Sequence, residues 1–119
     1  TRAIWAAGNE YLQLAAPWTA IKTDVDAAAA GVRTGLNLCL LFAQIAAPFM
    51  PATAQTIVQG LGLGAEALRW PNRPARDLLD SLPHGQAFEP PDVLFKKIED
   101  ADVLAWKERF GGEPSQAGA

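Results

Sequence analysis

Apolar and polar positions alternate along this chain with the period of a helix, not of a strand. Ile4, Trp5, Tyr11, Leu12 and Leu14 are the larger apolar groups of a first segment, and Thr1 stands where an N-cap belongs, so a helix is predicted to about Ala15. Pro17 ends or kinks it, because proline disfavours helical backbone in the residue before it, Ala16, and has no amide hydrogen to give to the preceding turn. A second and longest helix, capped by Asp24 or Asp26, runs to about Ala47, where Pro48 stops it. Its larger residues Val32, Leu36, Cys39, Leu40 and Ile45 fall near helical spacing, and the small residues at 27–31 let a neighbouring helix come close. Pro51 suits the first turn of a third helix, with Ile57 and Val58 facing inward and Gly60, Gly62 and Gly64 closing it. The pattern predicts an all-α chain, an antiparallel helix bundle.

The second half is less regular. Trp70 to Pro91 is rich in Pro, Asn and Gly and reads as connecting structure with one short helix at Arg76 to Leu82. Val93 to Ile98, "VLFKKI", reads as a short extended segment, and Asp100 as the cap of a final helix ending near Phe110, before Gly111-Gly112. Residues 1–110 are thus expected to fold as one helical domain, and 111–119, with little apolar surface, to form a flexible tail.

Composition narrows the class. The chain has 119 residues, half of them hydrophobic and 19% charged, enough for one small core. Arg33, Asn37, Gln44 and Pro48 break the most apolar region before it reaches the roughly 18 uninterrupted residues of a membrane helix, so a soluble domain with no membrane partner is expected. No secretory signal opens the sequence, and the lone Cys39 cannot form an internal disulfide, which points to a reducing, cytoplasmic setting. Cys39 lies in the apolar run Leu36 to Phe42 and reads as a packing residue. The first residue is Thr, with almost nothing before the first helix, as in a fragment of a longer protein. The net charge of −3 argues against holding nucleic acid mainly through a sheet of phosphate contacts and against a DNA partner. Residues 1–60 carry only Arg2, Lys22 and Arg33 against Glu10, Asp24 and Asp26.

No active site emerges. His84 sits in "LPHGQ" with no second ligand at metal spacing, and Glu99, Asp100 and Asp102 read as the acidic first turn of a helix. Gly60-x-Gly62-x-Gly64 follows a helix and lacks phosphate-loop spacing. No catalytic residue, metal ligand or cofactor site is expected in this chain. What stands out is a pair of tryptophans beside prolines, Trp18 and Trp70, which suit either plugs between helices or platforms for something arriving from outside.

Three stretches, in order, resemble a known family. N-x-Y-x5-P-W at Asn9 to Trp18, "APFMPATAQTI" at Ala47 to Ile57 and "FEPPDVLFKKIED" at Phe88 to Asp100 are similar to successive signatures of the C-terminal anticodon-binding domain of methionyl-tRNA synthetases. The third departs from that pattern by carrying Lys96 where the family usually has a proline. The resemblance implies the helical anticodon-binding fold of class I aminoacyl-tRNA synthetases. It implies a methionine-acceptor tRNA with a CAU anticodon as partner, Trp18 stacking on the wobble cytosine, Pro17 fixing the turn that presents it, and Asn9 in the same motif on the helix before. It further implies an upstream catalytic domain that uses ATP with Mg, and earlier bundle helices that supply an Asn and an Arg to the anticodon and cover Trp5, Leu36 and Leu40. Base stacking on an aromatic ring needs no strongly basic surface, which agrees with the weakly charged N-terminal half. The competing reading is a helical protein-interaction module anchored by Trp18 and Trp70.

Overall fold

In the computed structural model, which describes residues 1–112, the chain is helical, and its helix ends follow the local chemistry. α1 spans Arg2–Ala15. Thr1 holds the N-cap position, but through its carbonyl, which accepts from the amides of Ile4 and Trp5 at 3.1 and 3.2 Å, and not through its hydroxyl. α2 is a four-residue turn, Pro17–Ala20, that the sequence pattern did not announce. α3, Val25–Ala46, is capped by Asp24, whose carboxylate accepts from the Ala27 amide at 3.0 Å, while Asp26 lies in the first turn. α4 spans Pro51–Gly60 with Pro51 in its first turn, and a 3-10 turn follows at Ala65–Ala67. α5 is confined to Ala75–Leu78, shorter than the Arg76 to Leu82 expected. α6 spans Asp100–Phe110, and its N-cap is Glu99, not Asp100: the Asp102 carboxylate takes the Glu99 amide at 3.0 Å and closes the first turn there. Among the described residues there is no strand, so 93–98 is irregular; no neighbouring strand lies beside it to take its backbone hydrogen bonds. The tail expected at 111–119 lies, beyond Gly112, outside the described residues.

α3 is the axis of the bundle. α1 runs antiparallel to it through close glycine contacts: a side chain on Gly35 would come within 3.0 Å of Leu12, and one on Gly8 would collide with the Phe42 ring. On another face α4 folds back across the turn at 47–50, and Leu40, Ala43, Ala54, Val58, Leu61 and Leu82 form the buried core. Val58 is inward as the pattern implied, and Ile57 packs at the edge of the same core. Leu40, expected to await cover from an upstream helix, is already buried under α4 and Leu82; Leu36 and Trp5 remain half-buried. The α3/α4 contact is made by alanines 43 and 54, both with no solvent exposure. Ala54→Leu is expected to force the two helices apart and to cost roughly 1 to 3 kcal/mol, read as a lower denaturant midpoint. An unchanged midpoint would mean that the contact is looser than this packing.

With 22 residues, α3 meets the length and composition required to cross a membrane, contrary to the expectation that its polar residues interrupt it too early. A composition average tolerates a few polar groups. In the bundle these groups are engaged with other parts of the chain. Arg33 donates to the Leu82 carbonyl at 3.0 Å, the Asn37 carbonyl accepts from the Leu82 amide at 2.8 Å, and Gln44 donates to the Ala67 carbonyl at 3.0 Å. That is how the central helix of a packed domain uses its polar residues.

Candidate functional site

The site begins at one residue. Ala16 has φ 39° and ψ 59°, the one positive-φ residue other than glycine among the described residues. As C-cap of α1 its amide donates to the Leu12 carbonyl at 3.0 Å. As N-cap of α2 its carbonyl accepts from Thr19 and Ala20 at 2.8 and 3.0 Å. Pro17 disfavours right-handed helical backbone at Ala16 and fixes its own φ for the first position of α2, and Ala16 takes the left-handed corner between the two helices. Such a conformation in an alanine costs on the order of 1 to 2 kcal/mol and persists where the surroundings hold it. Here α3 does: Pro17 seats over Gly31, where a Cβ would stand 3.6 Å from the proline.

One residue beyond the corner, Trp18 projects from the first turn of α2 with 56% of its surface exposed, so it is not a core plug. It lines a groove of about 630 Å³ between α2, the first half of α3 and the loop at 82–86. Its lining is largely apolar, with Ile21, Val25, Ala29 and Val32, and Arg33, His84 and Gln86 form a polar wall.

That wall is fixed from beneath. Asn37, fully buried, accepts the Leu82 amide and donates to the Arg33 carbonyl at 3.0 Å. Arg33 donates to the Leu82 carbonyl and pairs with Asp80. Gln86 donates to the Leu61 carbonyl at 2.8 Å, and Gly85 turns the loop at φ 75° with open space where a side chain would be. The Arg33 Nε is buried and has no hydrogen-bond partner among the described residues.

Of the residues singled out in the sequence, Trp18 and Pro17 meet at this groove and Asn9 does not line it. Asn9 is exposed on α1, seven residues before the corner, roughly 10 Å along the helix axis. Trp70, 62% exposed, lies in a separate hollow. Arg33, Asn37, His84 and Gln86 were missed as parts of one site. The available signal was the presence of Arg33 and Asn37 inside the most apolar helix. Cys39 packs, half-buried, between α3, α4 and residues 88–94, and burial pushes its thiol pKa up, which keeps it un-ionised at neutral pH. Among the described residues no group of three or more His, Cys, Asp or Glu side chains stands together as a metal site would.

Comparison with known proteins bears on what such a groove holds. The family model described as the anticodon binding domain of methionyl tRNA ligase matches residues 1–115. The methionine-tRNA ligase of Maricaulis maris is 60% identical over 114 residues, 95% of this chain, and that of Hyphomonas neptunium 52% over 116 residues, 94% of it. The same enzyme of Caulobacter vibrioides is 54% identical over 111 residues, 93% of the chain. The chain spans 20%, 20% and 19% of the length of these three relatives. No solved structure matches it.

Proposed function

The chain belongs to the family of the anticodon binding domain of methionyl tRNA ligase, and from that premise we propose that its Trp18 groove reads the anticodon loop of a methionine-acceptor tRNA. In this reading the chain is the C-terminal part of a cytoplasmic methionine-tRNA ligase, and the attachment of methionine takes place in a catalytic domain upstream. The observation that carries it is the Trp18 ring, half out of the structure and held on a corner that Ala16, Pro17 and Gly31 fix. Unpaired loop bases are recognised by splaying them onto aromatic rings, a stack worth about 1 to 3 kcal/mol, and a ring that is already oriented loses little entropy on binding.

Stacking alone does not choose a base. The wall of Arg33, His84 and Gln86 lines the same groove as Trp18 and would supply polar groups to the edge of a stacked cytosine, the first base of a CAU anticodon. Asn9, about 10 Å along α1, is placed to meet a neighbouring nucleotide and not the same base.

The described residues do not fit ATP. The glycine-rich stretch at Gly60 to Gly64 closes α4, and its Gly64 amide is already occupied by the Glu66 carboxylate at 3.2 Å. ATP with Mg therefore belongs in this reading to the complete enzyme's other domain, and no step of activation passes through the residues described here.

Competition at equilibrium tests the assignment. An RNA hairpin carrying CAU in its loop is expected to displace tRNA from the complete enzyme about five- to tenfold better than the same hairpin with the first anticodon base changed to guanine. Equal competition by the two would overturn base readout at this groove.

A further inference from the structure

Eleven residues along α3 from Arg33 stands Gln44, and eleven residues is three turns plus about 20°, so both lie on the same face of the helix, roughly 16 Å apart. Gln44 opens a second hollow, of about 290 Å³, which it shares with Arg69, Trp70 and Arg73. The segment "RWPNRPAR", 69–76, holds three arginines and no acid in a chain whose net charge is −3.

The nearby acids are otherwise engaged. Glu66 caps the Gly64 amide, Asp80 pairs with Arg33, and Asp77 makes a loose 3.7 Å contact with Arg76, whose side chain is 88% exposed. Arg69 and Arg73 have no carboxylate partner among the described residues; Arg73 is instead braced by the Ser81 hydroxyl at 2.6 Å. Between them the Trp70 ring is 62% exposed, beside Pro71. The segment is anchored at one end by Gln44 on the Ala67 carbonyl and at the other by Asn37 and Arg33 on Leu82, so it leads from this patch directly to the wall of the Trp18 groove.

We propose that Arg69, Trp70, Arg73 and Arg76 form a second RNA contact, which holds the phosphates of the strand flanking the anticodon while the Trp18 groove reads the loop. This rests on the anticodon reading above. A strand rising about 3.4 Å per nucleotide covers the roughly 16 Å from Arg33, on the groove wall, to Gln44, at the edge of this patch, in about five nucleotides, enough to pass from a loop base into the adjoining stem. Guanidinium groups on a phosphate run set register and affinity without reading sequence, and Trp70 offers a flat apolar face to a sugar or an unpaired base between them. The alternative partner is an acidic protein surface.

The test separates the two contacts by salt. Binding of tRNA to the complete enzyme is measured between 50 and 200 mM KCl, on the order of the range in which phosphate contacts dominate. The variants are the triple Arg69→Gln, Arg73→Gln, Arg76→Gln and, separately, Trp18→Ala. Each lost phosphate contact lowers the slope of log affinity against log salt by about 0.7 to 0.9, so the triple variant is expected to lose about 2 of that slope. At the low-salt end it should bind roughly tenfold more weakly, and its preference for the CAU hairpin should be unchanged. Trp18→Ala is expected to lose the preference and keep the slope. A triple variant with the parental slope overturns the proposal and leaves the patch to a protein partner, and so does one that loses base preference. A Trp18→Ala enzyme that keeps its preference overturns the groove reading alone, while the slope still decides the patch. Methionine activation, measured on the same preparations, confirms that each variant is folded.

Discussion

Trp18→Ala in the complete enzyme is expected to lower kcat/KM for tRNA by about ten- to a hundredfold while methionine-dependent pyrophosphate exchange is retained. One stacked base is worth about 1 to 3 kcal/mol, and a loss confined to binding of tRNA and its transition state appears in the tRNA term and not in the amino acid term. The exposure of the ring sets what else changes. A buried tryptophan replaced by alanine costs roughly 3 to 5 kcal/mol through the cavity it leaves, but Trp18 is 56% exposed and its removal opens no cavity. The melting temperature of the variant should therefore stay close to that of the parent. Trp18→Phe, with a smaller ring on the same corner, should recover part of the lost activity. Normal charging by a folded Trp18→Ala enzyme would refute stacking outright, whereas a large loss of stability would make the ring a plug after all.

The corner itself was half legible in the sequence. Pro17 announced a break, and the break is there, but the left-handed Ala16 and the new turn of helix after it were not, because they follow from Pro17 packing over Gly31 on a helix more than ten residues later. The same division holds elsewhere. Local chemistry put the start of α3 at Asp24 or Asp26, of which Asp24 is the cap, and that of α4 beside Pro51, since a cap and a first-turn proline act within a few residues. It misjudged α5, drawn through Leu82, because the Leu82 amide leaves the helical ladder to reach Asn37, 45 residues away in the chain. Residues 93–98, read as a short extended segment, form no strand, since a strand needs a neighbour and none lies there among the described residues. The family motif located Trp18 and Pro17. It could not locate the polar wall, which is assembled from α3 and the loop at 82–86, two stretches far apart in the chain.

Asn37 is the point at which that wall depends on the core. Asn37→Leu is nearly isosteric and keeps the helix, yet it takes the acceptor from the Leu82 amide in a region where Leu82 is 4% exposed and Asn37 not at all. A buried donor left without a partner costs about 1 to 3 kcal/mol, and the loss of the Arg33 carbonyl contact adds up to about 1 more. The expected destabilisation is thus about 1 to 4 kcal/mol, concentrated in the loop that Leu82 anchors. Two readings follow from one variant. Amide hydrogen exchange at 82–86 should accelerate far more than in the core of α3 and α4, since the loop can open without unfolding the bundle. Discrimination between CAU and altered hairpins should fall although Trp18 and Pro17 are untouched, because the groove keeps its stacking ring and loses the wall that holds Arg33, His84 and Gln86 in place. If exchange at 82–86 rises and base preference does not change, the loop is scaffolding and the base edge is read elsewhere. If neither changes, the Asn37 bridge does not hold the loop, and the account of the wall given by these hydrogen bonds fails with it.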